Sequence, residues 1–98
     1  MIKLPPVHPG EVLREEFLRP LDLSAGAVAR AIGVPRTRIE RLASEQVDLT
    51  PDTALRLARF FETSPEFWMG IQSRYALESA SDAISDDLDK IEPVKKAG

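Results

Sequence analysis

Cysteine is absent from the 98 residues, which excludes disulfides, thiolate metal sites and a cysteine nucleophile. A reducing compartment is the natural setting for such a chain. Histidine occurs once, as His8, with no second imidazole to share a metal, so it is expected to cap the helix that follows it or to lie on the surface. No apolar run approaches the ~20 residues that cross a bilayer, and the opening Met1-Ile2-Lys3-Leu4-Pro5-Pro6 holds no signal-peptide core. The expected location is therefore cytoplasmic, away from the membrane. Nucleophile elbows, P-loops and glycine-rich phosphate cradles are missing, and Glu15 and Glu16, being adjacent, fall on different helix faces and make a poor acid/base pair. The expectation is a protein that is not an enzyme, with no catalytic residue, no cofactor and no metal.

An excess of positive charge is also lacking, since the net charge is -3. Its distribution is uneven. Arg30, Arg36, Arg38 and Arg41 face one acid, Glu40, whereas after residue 80 five acids (Asp82, Asp86, Asp87, Asp89, Glu92) outnumber three lysines. For a polyanionic partner the field at the docking face counts, not the total. Hydrophobic content of 43% and charged content of 30% suit one globular domain with a single core and a tail.

The chain is organised around residues 25–42. Val28, Ala29 and Ile32 form one apolar helical face. Gly33 then offers the left-handed conformation that a sharp turn needs, Val34 plugs the turn, and Pro35 is expected at the first position of a second helix. In that helix Ile39 and Leu42 point inward, and Arg36, Thr37, Arg38 and Arg41 point outward. Ala29 supplies the small side chain where the two helices cross. This is the pattern of a helix-turn-helix, whose second helix enters the DNA major groove.

Elsewhere the start and stop signals mark further helices. Pro5, Pro6 and Pro9 favour an extended residue 1–8 segment. Pro9-Gly10-Glu11 opens a helix whose inward face is Val12, Leu13 and Phe17, and Pro20 stops it. Leu21 and Leu23 are expected to cover the gap before Ser24, the N-cap of the next helix. Thr50-Pro51-Asp52 and Ser64-Pro65-Glu66 each read as cap, first-turn proline and acid. The first launches Ala54, Leu57, Ala58 and Phe61 inward, with Arg56 and Arg59 away from the core. The second carries Phe67, Trp68, Ile71 and Tyr75, an aromatic stripe expected to pack in the core. From residue 81 a sparse pattern of Ala83, Ile84, Leu88 and Ile91 leaves open either a continued helix or a separate short one. Pro93 ends it, and residues 94–98 should fray.

Three blocks then resemble a known family. His8-Pro9-Gly10-Glu11-Val12-Leu13-Arg14-Glu15-Glu16-Phe17-Leu18, the hairpin of residues 23–42, and Asp52 to Phe61 followed by Thr63-Ser64-Pro65-Glu66-Phe67-Trp68 are similar to HigA-type (VapI-like) antitoxins, a branch of XRE-like helix-turn-helix proteins. The resemblance covers roughly residues 8–80. It implies an all-α, five-helix XRE-like (lambda-repressor-like) domain over residues 1–80, with 81–98 a C-terminal helical extension or flexible acidic tail. It also implies the antitoxin of a bacterial type II module. Such a protein neutralises a RelE-like mRNA-cleaving toxin by protein contact and, as a homodimer, represses its own operon at an inverted repeat of operator DNA.

By position, Pro35, Arg36, Thr37 and Arg38 fall at the groove-facing start of the recognition helix, with Arg41 one turn on, Arg30 placed for a phosphate, and Ser44 completing the DNA-binding set. Arginine grips guanine O6 and N7 with two bonds, and threonine suits a base edge or the thymine methyl. Two departures from the family weaken the expected grip. Ser44-Glu45-Gln46 stands where relatives often carry Asn-Gly and a basic residue, which puts an acid near phosphates. Ala25 and Gly26 replace a glutamine common in the wider class. The acids of 82–92 suit a basic partner or a solvated end. The alternative function is a stand-alone repressor without a toxin. The regulator reading fails if Arg36 and Arg38 are locked in ion pairs or covered by the tail in every state, and only the family likeness then remains.

Overall fold

The computed structural model describes residues 4–95, so the readings for residues 1–3 and 96–98 lie outside the described residues. All regular structure among the described residues is helical: α1 (Pro9–Val12), continuing as a π-helical stretch Leu13–Leu18, then α2 (Ala25–Ile32), α3 (Arg36–Ala43), α4 (Pro51–Phe61), α5 (Pro65–Ala83) and a short α6 (Ser85–Asp89). Of the two outcomes left open after residue 81, the chain takes both. Helix α5 runs on to Ala83, and α6 then starts afresh.

The caps fall where hydroxyls were expected. Ser24 Oγ accepts from the Ala27 amide at 3.0 Å, Thr50 Oγ1 from Thr53 at 3.4 Å and Ser64 Oγ from Phe67 at 3.0 Å, each satisfying a donor that the first turn leaves unpaired. His8 is also a cap, its Nδ1 accepting from the Gly10 amide at 2.8 Å. Of the two roles expected for it, the surface one is excluded. The ring is buried and packs edge-on against Tyr75, centroids 4.7 Å apart.

The π-helical stretch changes which residues face inward. Hydrogen bonds that span five residues, such as Arg19 N–H to the Arg14 carbonyl at 3.1 Å, bring residues five apart close to one line. Leu13 and Leu18 are consequently both buried. Helical periodicity of 3.6 finds Val12, Leu13 and Phe17 and misses Leu18. Leu21, expected to cover the gap, is instead 56% exposed, and Leu23 alone packs on the core there.

One core unites Leu13, Leu18, Val28, Ala29, Ile32, Ile39, Leu42, Leu49, Ala54, Leu57, Ala58 and Trp68. Phe17 joins it to the aromatics, lying 4.7 Å from Phe61 and 5.1 Å from Trp68 between ring centroids. Trp68 is fully buried, and its indole N–H donates to Thr63 Oγ1 at 2.8 Å, which satisfies the one polar atom that burial would strand. Phe67 departs from the expected core stripe. It stays 42% exposed, edge-on to Phe17 and Trp68. Gln72, unmarked by periodicity, is buried because its Oε1 accepts from the Leu49 amide at 2.7 Å, tying the α3–α4 loop to α5.

Helix α1 lies against α3 and α5, and Gly10 makes the first contact possible. A Cβ at Gly10 would lie 1.8 Å from the Leu42 carbonyl oxygen and 2.9 Å from its carbon. Gly10→Ala is expected to cost about 3 kcal/mol or more, because backbone rather than a flexible side chain must give way. Gly70→Ala is the control. It meets nothing within 4 Å and sits inside α5, so it should gain about 0.5–1 kcal/mol. Urea midpoints of the two variants that fail to move in opposite directions would refute this packing.

Candidate nucleic-acid interface

The turn between α2 and α3 follows from Gly33, whose φ of 74° and ψ of 38° are left-handed. Its amide and that of Val34 both donate to the Ala29 carbonyl, closing α2. Ala29 itself is buried at the crossing. Pro35 departs from expectation by one position. With φ -61° and ψ 143° it is the N-cap of α3, and Arg36 is the first helical residue. Proline offers no side-chain acceptor, so α3 has no side-chain cap, unlike α2, α4 and α5. The Arg38 amide donates to the Pro35 carbonyl at 3.0 Å, and the positive end of the helix dipole lies beside Arg36 and Thr37.

On α3, Ile39 and Leu42 are buried while Arg36, Thr37, Arg38 and Arg41 are exposed. Arg30 on α2 is exposed as well. The Arg36 stem lies across Gly26: a Cβ there would be 3.2 Å from Arg36 Cδ and 3.7 Å from an Arg30 terminal nitrogen. Arg36, Arg30 and the bare backbone of Gly26 thus meet at the seam of α2 and α3. The side chain of Arg36 is 71% exposed, and Glu40 is a loose carboxylate neighbour 3.6 Å away on the same helix. Ser44 is the C-cap of α3, and its hydroxyl donates to the Arg41 carbonyl at 3.2 Å.

Arg38 is held more firmly. Its Nη1 donates to Asp52 Oδ2 at 2.7 Å, and the same oxygen accepts from Arg56 Nε at 3.0 Å. Arg56 does not simply point away from the core. Its Nη1 donates to the Ile32 carbonyl at 2.7 Å, at the last residue of α2. Both members of the Arg38–Asp52 pair are exposed, 42% and 56%. The guanidinium remains reachable from solvent and is not covered by any described residue of the tail.

The acid at position 45 is partly neutralised. Glu45 adopts φ 64°, the left-handed region that favours glycine, and both terminal nitrogens of Arg14 donate to its carboxylate at 3.2 Å. Arg14 also donates to the Ala43 carbonyl, so the C-terminal end of α3 is fastened to the π-helical stretch that continues α1. Asp52, Arg56 and Arg14 are the site residues that sequence reasoning missed. Only the i,i+4 spacing of Asp52 and Arg56 marks any of these links in the sequence. The partners Arg38 and Arg14 come from other helices, which periodicity does not bring together.

A family model described as helix-turn-helix matches residues 13–68. The chain is 46% identical over 78 residues to virulence-associated protein I of Dichelobacter nodosus, a match covering 80% of this chain and 72% of that protein. It is 34% identical over 89 residues to antitoxin HigA-1 of Vibrio cholerae, covering 91% and 84% of the two chains. The chain belongs to the HigA-type antitoxins of the helix-turn-helix family. Among solved structures, the antitoxin HigA of Pseudomonas aeruginosa, determined with the higBA promoter, superposes with a TM-score of 0.88 at 43% identity, covering 92% of this chain and 99% of that one. No helix among the described residues is long and apolar enough to cross a membrane.

The electrostatics of the Arg38 pair can be measured directly. Hydrogen bonding from Arg38 chiefly, then from Arg56, holds the Asp52 carboxyl below the ordinary aspartate value of 3.8. A depressed carboxyl contributes its linkage above the ordinary value and loses it as pH falls through the folded one. In an NMR titration, Asp52 should therefore protonate later on acidification than a free aspartate, and Arg38→Ala should move its midpoint upward. An unchanged midpoint in Arg38→Ala would show that the pair does not form in solution.

Proposed function

We propose that this chain is the antitoxin of a bacterial type II toxin-antitoxin module, binding operator DNA through α3 to regulate its own operon and neutralising a RelE-like toxin by protein contact. The observation that carries the DNA part is the division of α3. Arg36, Thr37 and Arg38 open it in solvent, while Ile39 and Leu42 anchor it in the core. Arg36 and Arg38 suit guanine O6 and N7, Thr37 a base edge or thymine methyl, and Arg41 the same groove a turn further on. Pro35 sets the open start of the helix. Arg30 suits a phosphate, and Ser44 stands where the chain leaves the groove. The Pseudomonas aeruginosa HigA structure with its promoter supports this reading.

The protein works as a homodimer on an inverted repeat, its two recognition helices about one DNA turn, ~34 Å, apart. Residues 1–80 form the DNA-reading unit and 81–98 an extension. Exposed Leu77, Ile84, Leu88 and Ile91 on α5 and beyond favour protein contact by that end, with the toxin or with a second copy. The role needs no catalysis, no cofactor and no metal, and it is exercised in the cytoplasm.

Arg36→Ala and Arg38→Ala should each cost about 1–3 kcal/mol in operator binding while circular dichroism stays unchanged. Fluorescence anisotropy on the chain's own promoter and on scrambled DNA decides the role of each. Equal losses on both would make the arginines phosphate contacts. Glu45→Gly should tighten binding to operator and scrambled DNA alike by a few-fold, since it removes a charge that repels phosphate at a position whose backbone already suits glycine. Affinity that stays the same on both DNAs would place Glu45 away from the duplex. Co-purification with the product of the adjacent gene tests the toxin contact, and its failure would favour a stand-alone repressor.

A further inference from the structure

The geometry points to Asp52 as a positioning residue for base reading: its carboxylate, braced through Arg56 to the end of α2, holds Arg38 so that the rest of the guanidinium meets a base edge. The proposal rests on the reading of Arg38 as a base contact. The brace runs from the Ile32 carbonyl to Arg56 Nη1 at 2.7 Å, from Arg56 Nε to Asp52 Oδ2 at 3.0 Å, and from that oxygen to Arg38 Nη1 at 2.7 Å. It thus links the end of α2, the first turn of α4 and the first turn of α3, the elements on either side of the turn that aims the recognition helix.

Three features argue that the brace serves recognition. First, every side chain in it is substantially exposed, and exposed ion pairs contribute little to stability. Second, an unheld arginine loses much rotamer freedom on docking, whereas a guanidinium with one nitrogen already committed keeps Nε–H and the other terminal N–H groups for a two-bond grip on guanine. Third, Arg36 has no equivalent, because Glu40 lies 3.6 Å away on its own helix. The two arginines at the tip of α3 are therefore unequal. Arg38 is fixed and selective, and Arg36 is free to adapt.

The opposing role for an acid beside DNA is plain repulsion, and the two roles differ in sign. Asp52→Asn removes the charge and keeps the shape. If Asp52 positions Arg38, operator affinity falls about 3- to 20-fold while affinity for scrambled DNA holds steady or rises, so discrimination narrows. In an Arg38→Ala background the same substitution should then have no further effect on the operator. Equal tightening on both DNAs, or the same loss with and without Arg38, overturns the proposal. An Arg38→Ala variant with undiminished operator affinity overturns the reading of Arg38 and this proposal with it. A normal Arg38→Ala loss combined with tightening by Asp52→Asn overturns the role of Asp52 alone. Urea midpoints for each variant separate a folding defect from a binding one.

Discussion

Helix α3 has eight residues, too few to persist in water on propensity alone, so its existence depends on being clamped at both ends. At the start, the Gly33 turn fixes it to α2, while the exposed Arg38–Asp52–Arg56 brace orients it against α4 and adds little stability. At the finish, Gly10 lets α1 touch the Leu42 carbonyl, and Arg14 reaches the Ala43 carbonyl and Glu45. Between the clamps Ile39 and Leu42 fill the core. What is left of the helix surface is available for function, because the architecture asks nothing more of it.

The clamps also explain how a chain of net charge -3 can present a cationic tip. Two acids that flank α3, one at each end, are paired with arginines. Asp52 and Glu45 each lie within hydrogen-bonding distance of an arginine from another helix, so their fields are partly offset locally before they reach a duplex. Glu45 sits in a left-handed conformation that costs a residue with a Cβ about 1–2 kcal/mol. The Arg14 contact and the closure of α3 offset that strain. A weakly cationic surface attracts DNA less through counterion release, so selectivity rests more on well-oriented base contacts.

Legibility in the sequence divides along the range of each interaction. Signals contained within one turn of chain are readable: the hydroxyl caps Ser24, Thr50 and Ser64, the left-handed Gly33, and the buried pairs Val28–Ile32 and Ile39–Leu42. His8 as a cap belongs here too, since its acceptor and donor are two residues apart. Leu18 is lost because the π-helical stretch alters the period on which the reading depends. Pro35 is misplaced by one position because proline suits both the cap and the first turn. Phe67 is lost because a stripe of aromatics gives no edge to the core. The side chains proposed to face DNA follow from the exposed side of α3, but the partners that hold them do not. Arg38 and Asp52 are fourteen positions apart and Arg14 and Glu45 thirty-one, separations at which only the folded chain supplies the neighbour.

The two ends of the molecule answer to different physics. The first turns of α5 are held by Trp68, Met69 and Gln72 against the core, but past Tyr75 nothing on α5 or α6 is buried, and the longest dimension of the chain is 55 Å against 30 and 22 Å. Helix α6, five residues long with no side-chain cap, draws its order from the end of α5 rather than from a core. Apolar residues held out in this way gain only part of their burial from folding, since Leu88 and Ile84 stay 42% and 44% exposed and Ile91 and Leu77 65% and 68%. The rest of their favourable term is realised only when another surface covers them. Helix α3, by contrast, packs chiefly against α2 and α1 and has already buried its apolar side. A protein partner taking up the apolar arm would therefore leave the arginines of α3 in place, and the opposite is equally true. Reading DNA and contacting protein can then be tuned by separate substitutions, with the shared core fixing only how the two surfaces are oriented.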